Sequence, residues 1–129
     1  MHPEIPLDGD LRANIEHALF DTLHPSLDSY PETRLRERLR LVMADRALQR
    51  TYWSAHVTRR RESLAAALHA GVERGLLRRD LDVEATIDLL NGVFYYQYVV
   101  RGVSATRPDA LARCRAAFDT VWRGIERGD

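Results

Sequence analysis

The sequence has no lysine, a single cysteine and no long uninterrupted hydrophobic run. With Cys114 alone, the chain can form neither an internal disulfide nor a cysteine-rich zinc site, which suits a reducing compartment. No apolar stretch approaches the roughly 20 residues that a membrane span requires, and the first residues lack the basic and apolar parts of a secretion signal. These absences predict a cytoplasmic protein with no membrane partner.

An excess of charge of one sign is also missing, because nineteen basic residues, all arginine, balance nineteen acidic ones. No overall field therefore attracts nucleic acid or an anionic membrane. The arginine runs at 34–40 and 59–61 diverge around a helix and are interleaved with glutamates, which favours solvated faces over a phosphate-binding patch. The 129 residues, 45% of them hydrophobic, are enough for one folded domain with one core.

Motifs for catalysis are absent as well. The sequence contains no serine, histidine and acid pattern, no glycine-rich phosphate loop, and neither Glu-x-x-His nor His-Glu-x-x-His. We therefore predict no enzymatic activity and no cofactor. A helical metalloenzyme stays open as one hypothesis. His17, Asp21 and His24 share one helix face, and their side chains are of types that bind zinc or nickel. That face is polar, however, which favours an ordinary solvated surface.

The sequence is rich in helical periodicity. Apolar residues recur at 3.6-residue spacing in five consecutive segments, which predicts an all-α domain over residues 9–127 and a linker at 1–8. The predicted helices are 9–24, 31–46, 47–74, 82–101 and 106–127. The predicted N-caps are Asp8 or Asp10, Asp82, and Thr106 in a capping box with Asp109, and Gly75 is the predicted left-handed C-cap of the third helix.

The apolar stripes predict which side chains face the core. On the second helix they are Leu35, Leu39, Val42 and Met43. On the third helix they are Trp53, Val57, Leu64, Leu68 and Val72. On the fifth helix they are Leu111, Cys114, Phe118, Val121, Trp122 and Ile125, and the position of Cys114 there indicates packing and not a nucleophile.

The fourth predicted helix, which contains the stretch GVFYYQYVVRG, is apolar on two sides. One side carries Val83, Ile87, Leu90, Phe94 and Tyr98, and the other carries Ala85, Leu89, Val93, Tyr96, Val100 and Val103. A helix that is apolar around most of its circumference must be covered on two sides. Because a five-helix domain offers too few neighbours, we expect a second subunit to supply the cover, in a twofold dimer.

The segments GVERGLLRRDLDVEATIDLLNGVFYYQYVVRG and LARCRAAFDTVWRGIE resemble the C-terminal half of TetR/AcrR-family transcriptional regulators. The matching positions are Arg74, Gly75, Asp80, Asp82, Gly92, Tyr95, Tyr96 and Trp122. The resemblance implies a five-helix domain that binds a small apolar or amphipathic effector and pairs its last two helices with those of a second subunit. It also implies that DNA is bound only through a helix-turn-helix head, which precedes this region in the family, and the segment MHPEIPLDGD resembles the linker that follows such a head.

We expect the effector pocket to involve Tyr52, Trp53, His56, Arg60, Phe94 and Tyr98. Arg60 or His56 would hold a polar or anionic group, and Trp53, Phe94 and Tyr98 would form apolar walls. A simple core role for the three aromatic residues stays open. The alternative for Arg60 is that its stem extends along the core and its guanidinium pairs with Asp88 or Glu84.

We expect the homodimer interface to use residues of the fourth and fifth helices. They are Leu89, Val93, Tyr96, Val100, Phe118, Val121, Trp122 and Ile125. The alternative to an effector-sensing domain is a head-less helical module that dimerises or binds other proteins and has no small-molecule ligand. A filled core would favour that alternative, whereas a pocket would favour the sensing domain.

Overall fold

The computed structural model describes residues 4–23, 32–104 and 107–128, and these residues form five helices. Helices α2 and α5 are regular and comprise Glu32–Ala44 and Pro108–Ile125. Helix α1 comprises Leu11–His17 and a π-helical continuation at Ala18–Leu23, and α4 comprises Val83–Tyr95 and a π-helical turn at Tyr96–Val100. Helix α3 comprises Arg46–Tyr52, a π-helical turn at Trp53–Val57, and Thr58–Glu73. The described residues contain no strand beyond an isolated bridge between Leu77 and Glu126. The prediction of an all-α domain is confirmed.

The helix starts follow the predicted caps where these lie in the described residues. The Asp10 carboxylate accepts a hydrogen bond from the Ala13 N–H at 3.1 Å, and the Asp82 carboxylate accepts one from the Ala85 N–H at 2.9 Å. Each bond satisfies an N–H group that has no partner inside the helix. Thr106, the predicted cap of the last helix, lies outside the described residues, and α5 begins at Pro108.

The C-terminal end of α3 is closed by a Schellman motif at Gly75, as predicted. Gly75 has a φ of +75°, a conformation that glycine adopts without steric cost. The N–H of Leu76 donates to the carbonyl of Gly71 at 2.9 Å, and the N–H of Gly75 donates to the carbonyl of Val72 at 3.1 Å. The chain thereby turns back and directs the buried Leu77 side chain onto α3.

One hydrophobic core lies between α1, the Thr58–Glu73 part of α3, α4 and α5. Its centre is a chain of aromatic contacts in which Phe20 packs against Phe94 and Phe118, with ring centroids 5.5 and 6.0 Å apart, and Phe118 stacks on Trp122 at 5.8 Å. Arg12 joins α1 to α5 at the edge of this core, because its guanidinium donates to Asp119 at 2.9 Å and lies over the Phe118 and Trp122 rings.

The other half of the molecule is a hairpin of α2 and the first part of α3 that has no core of its own. None of the described side chains from 33 to 63 is buried. The predictions that Met43 and Trp53 face the core are therefore wrong: 73% of Met43 and 47% of Trp53 is exposed. Leu35, Leu39 and Val42 are half-buried. The helices of this hairpin pack on each other and leave apolar surface in solvent.

The segment before α1 packs against the domain. Ile5 is buried, and its N–H donates to the Ser63 hydroxyl at 2.8 Å. Arg74 donates to the carbonyls of Leu7 and Gly9 at 3.2 and 2.9 Å. These contacts fix the direction in which the chain enters α1.

We predict that Gly71→Ala destabilises the fold by about 1–2 kcal/mol. A Cβ atom at this position would lie 2.6 Å from the Leu77 Cδ1 and 3.1 Å from the Leu11 Cδ2, and both leucines are fully buried. The overpacking cost of about 1–3 kcal/mol exceeds the helix-propensity gain of up to about 1 kcal/mol. Urea denaturation at fixed protein concentration measures the effect. Gly124→Ala is the matched control, since its Cβ would contact nothing within 4 Å, and equal stability of the two variants would contradict the prediction.

Candidate functional site

Helix α4 has one apolar face in the core and a second apolar face in solvent. Ile87, Leu90, Phe94 and Tyr98 are at most 8% exposed, whereas Leu89, Tyr96 and Val100 are 59%, 53% and 63% exposed. The Cβ position of Gly92, on the same outer face, contacts nothing within 4 Å. The structure thus assigns the Phe94 and Tyr98 side to the interior of the domain and leaves the other side uncovered.

The eight residues predicted at a dimer interface fall into two groups. Leu89, Val93, Tyr96, Val100 and Val121 are exposed or half-buried and remain available to a partner. Phe118, Trp122 and Ile125 are only 4–6% exposed and lie in the core of the single chain. The reason is that α5 turns its apolar stripe toward α1 and α4, where Phe118 contacts Phe20.

The six residues predicted to form an effector pocket lie in two groups, one on α3 and one on α4. Tyr52, His56 and Arg60 lie together on the hairpin: Arg60 donates to the Tyr52 hydroxyl at 2.8 Å, and the Tyr52 and His56 rings are 5.4 Å apart. Phe94 and Tyr98 belong to α4, where Phe94 is part of the core and the Tyr98 ring lies under Arg36 of α2 at 5.3 Å. The predicted interior position of Trp53 and His56 is wrong, because both are exposed.

The neighbouring arginine, Arg61, makes the ion pairs that the sequence suggested for Arg60. Its guanidinium donates to the Asp88 carboxylate at 2.8 Å and to the Glu84 carboxylate at 2.5 Å, and it lies 5.3 Å from the Trp53 ring centroid. Only 12% of the Arg61 side chain is exposed. Arg61 therefore links the first part of α3 to α4, whereas Arg60 forms its side-chain hydrogen bond with Tyr52.

Two arginines act on the Tyr52 hydroxyl. Its partial burial by itself would raise the pKa, but the hydrogen bond from Arg60 and the charges of Arg60 and Arg38 outweigh that effect and lower the pKa below its ordinary value. The Arg38 guanidinium lies 5.8 Å from the Tyr52 ring centroid. The surroundings of this hydroxyl therefore favour a negative charge.

An open groove with a volume of about 660 Å³ lies between α2 and α3 beside this cluster. Its lining comprises Val42 of α2 and, from α3, Arg46, Gln49, Arg50, Tyr52, Trp53 and Val57. Sequence reasoning found Tyr52 and Trp53 but missed Arg46, Gln49 and Arg50. Gln49 and Arg50 lie four and three residues before Trp53, and Arg46 lies four residues before Arg50, a spacing that places these residues on one helix face. The groove offers aromatic and aliphatic walls together with two cationic groups.

Among the residues that the structure describes, the remaining reactive groups do not form a site. The His17 Nδ1 and an Asp21 carboxylate oxygen are 3.0 Å apart on an exposed surface, and His24 lies outside the described residues. No group of three or more potential metal ligands occurs in the described ranges. Burial raises the pKa of the Cys114 thiol against the opposing charge of Arg113, which disfavours the reactive thiolate.

The comparison with known sequences identifies the family. The sequence model described as "Tetracyclin repressor-like, C-terminal domain" matches residues 5–114. The chain is a member of this TetR-like family. It is 30% identical over 76 residues to the "Uncharacterized HTH-type transcriptional regulator YdeS" of Bacillus subtilis (strain 168), a match that covers 59% of this chain and 38% of the relative. No solved structure matches the chain.

Membership of the TetR-like family confirms the resemblance that the sequence predicted, and with it the class of transcriptional regulators. The matched region begins at the buried Ile5 and extends into the first two turns of α5, so it includes the hairpin, the groove and the uncovered face of α4. In the portion of the chain that the structure describes, no helix combines the length and apolar character that a membrane span requires.

We predict that Arg60→Gln raises the pKa of Tyr52 toward its ordinary value of about 10, because the mutation removes a hydrogen bond and a nearby positive charge. Alkaline titration of phenolate absorbance, with and without Tyr52→Phe in each background, isolates the Tyr52 transition. A lowered pKa stabilises the folded state as the pH rises through the folded-state value, and the contribution is complete above the ordinary pKa of about 10. Arg59→Gln is the control, and an unchanged Tyr52 transition in Arg60→Gln would refute the assignment.

We predict that Arg61→Gln lowers the free energy of unfolding by about 1–2 kcal/mol. The variant loses charge-assisted hydrogen bonds to Glu84 and Asp88, although the cost is limited because both carboxylates are largely exposed and return to water. Arg59→Gln, an exposed neighbour, should change stability by less than about 0.5 kcal/mol. Urea denaturation distinguishes the two, and equal effects would show that Arg61 does not clamp α3 to α4.

Proposed function

We propose that this chain is the effector-sensing and dimerisation domain of a TetR-like transcriptional regulator and has no catalytic activity. The observation that carries the proposal is the outer face of α4, which is apolar and uncovered while the opposite face is buried. In this proposal the protein acts in the cytoplasm, and DNA is bound through a helix-turn-helix head outside the region described here. YdeS is itself named as an HTH-type regulator, and the match spans less than two fifths of its length.

The composition of the uncovered surface supports a twofold dimer in which α4 and α5 form a four-helix bundle. The outer face of α4 carries Leu89, Tyr96 and Val100 without a charged residue among them, which is typical of the centre of a stable interface. Helix α5 contributes the half-buried Val121. In a twofold dimer this patch would face its own copy, and an uncharged apolar patch does so without placing like charges opposite each other.

The groove beside Tyr52 and Trp53 supports binding of a small apolar or amphipathic effector. Its volume of about 660 Å³ lies within the range of about 300–1,000 Å³ that is common for small-molecule sites. Phe94 and Tyr98 fill space inside the domain and are not walls of this groove. A ligand held between α2 and α3 would act by favouring one of two helix arrangements, to the extent that it binds them with different affinity.

The aromatic packing inside the domain favours the alternative of a dimerising module without a ligand. Phe94, predicted as a pocket wall, contacts Phe20, and the ring contacts continue through Phe118 to Trp122. The alternative requires that the groove bind nothing. Native mass spectrometry tests both functions: a dimer with additional mass supports effector sensing, a bare dimer that accepts no small molecule supports the alternative, and a monomer contradicts both.

We predict that Val100→Arg dissociates the dimer. The residue is 63% exposed in one chain and would be buried against its counterpart, where two unpaired guanidinium groups are strongly unfavourable. Native mass spectrometry or sedimentation at micromolar concentration should show a folded monomer. Met43→Arg, at an exposed apolar residue of α2, is the matched control and should remain dimeric. A dimeric Val100→Arg protein would rule out this face as the interface.

A further inference from the structure

We infer that the groove between α2 and α3 selects amphipathic organic anions, with Arg46 and Arg50 binding the anionic group. The inference rests on the proposed function, because it assigns the effector to this groove. It adds the chemical class of the ligand and two residues that determine specificity. The shared ligand chemistry is an apolar body bearing a carboxylate, sulfonate or phosphate.

The lining of the groove is positively charged. Arg46 and Arg50 both line the groove, and none of the described lining residues is acidic. Neither arginine forms an ion pair with a described carboxylate, whereas Arg40 on α2 and Arg61 on α3 do. The groove therefore presents two cations that the domain itself leaves uncompensated within its described part.

The two cations of the groove lie close to each other on one helix. Arg46 and Arg50 are four residues apart on one helix, where like charges lie on neighbouring turns and repel each other. An anion between them would relieve the repulsion and accept hydrogen bonds from two planar guanidinium groups, a geometry that suits carboxylates and phosphates. A neutral ligand of the same shape would gain neither effect.

Apolar surface lies next to the two cations in the groove. Trp53 is 47% exposed although it lines the groove, and Val42 and Val57 border it. Arg61 lies over the Trp53 ring and restricts its position. An aromatic or aliphatic body in the groove would cover this exposed surface, and burial of apolar area favours binding. The lining therefore fits a ligand that is apolar at one end and anionic at the other.

Arg60 has a different part in this site. Its guanidinium donates to the Tyr52 hydroxyl at 2.8 Å, and Tyr52 lines the groove. Arg60 is a positioning residue that holds the Tyr52 ring, while Arg46 and Arg50 contact the ligand. Removing Arg60 should consequently affect anionic and neutral ligands alike.

The test compares two fluorescent probes that differ chiefly in charge. 8-Anilino-1-naphthalenesulfonate carries an aromatic body and a sulfonate, and N-phenyl-1-naphthylamine carries the same aromatic body without charge. Each probe is titrated into the wild-type chain, Arg46→Gln/Arg50→Gln and the control Arg59→Gln. Circular dichroism and the thermal midpoint confirm that each variant is folded, which is expected because all three arginines are exposed.

We predict that Arg46→Gln/Arg50→Gln weakens binding of the sulfonate probe by roughly tenfold or more, because charge-assisted hydrogen bonds are lost. Binding of the neutral probe should change by less than about twofold, and Arg59→Gln should affect neither. Added salt should weaken only the sulfonate probe, since exposed charges are screened. A Trp53→Phe variant that loses probe-dependent quenching would locate the probes in the groove.

The contrary outcomes separate this inference from the proposed function. If the double variant weakens both probes equally or neither, or if Arg59→Gln has the same effect, anion selectivity by Arg46 and Arg50 is refuted while the groove remains an effector site. If neither probe binds the wild-type chain, the inference and the effector-binding part of the proposed function both fail.

Discussion

The contact between Gly71 and Leu77 determines how the cored half of this domain closes. Because Gly71 has no Cβ atom, the Leu77 side chain can enter the end of the bundle. A Cβ atom at position 71 would lie only 2.6 Å from the Leu77 Cδ1. Once Leu77 is fixed, the loop lies against the end of α5: the Arg78 N–H donates to the Ile125 carbonyl at 2.9 Å, and the Arg127 N–H donates to the Leu76 carbonyl at 3.0 Å. The ends of α3 and α5 are thereby joined, and α4 begins from a fixed loop.

This closure connects the helices of the half that contains the core. The other half, the hairpin, has less support from buried side chains. The hairpin of α2 and the first part of α3 has no buried described side chain from 33 to 63, so little hydrophobic energy fixes its position. Arg61 is its charged connection to α4 through Glu84 and Asp88. Elements of low local stability are those that move in switching proteins, and a change in the hairpin would reach the proposed dimer face through this connection.

The sequence was sufficient to predict features that depend on local periodicity and capping. The five helices, the caps at Asp10 and Asp82, the glycine turn at Gly75 and the two apolar faces of α4 all follow from such patterns. The side-chain directions on α3 could not be predicted, because the π-helical turn Trp53–Val57 breaks the 3.6-residue register and separates Trp53 from the face of Leu64. The sequence placed Phe118 and Trp122 on the apolar stripe of α5, but whether that stripe meets α1 or a second subunit depends on how α5 rotates against α1, which no local pattern records.

The two uncovered surfaces differ in charge, and this difference assigns them different partners. The outer face of α4 presents the uncharged side chains of Leu89, Tyr96 and Val100, so a permanent protein interface that covers them removes no ion from water. The groove carries Arg46 and Arg50 without a described carboxylate partner, so a permanent apolar interface there would have to bury unpaired charge at a prohibitive cost. A small anionic molecule would supply the missing countercharge and could still exchange with solvent. The distribution of arginine therefore favours a lasting contact at α4 and a reversible one between α2 and α3.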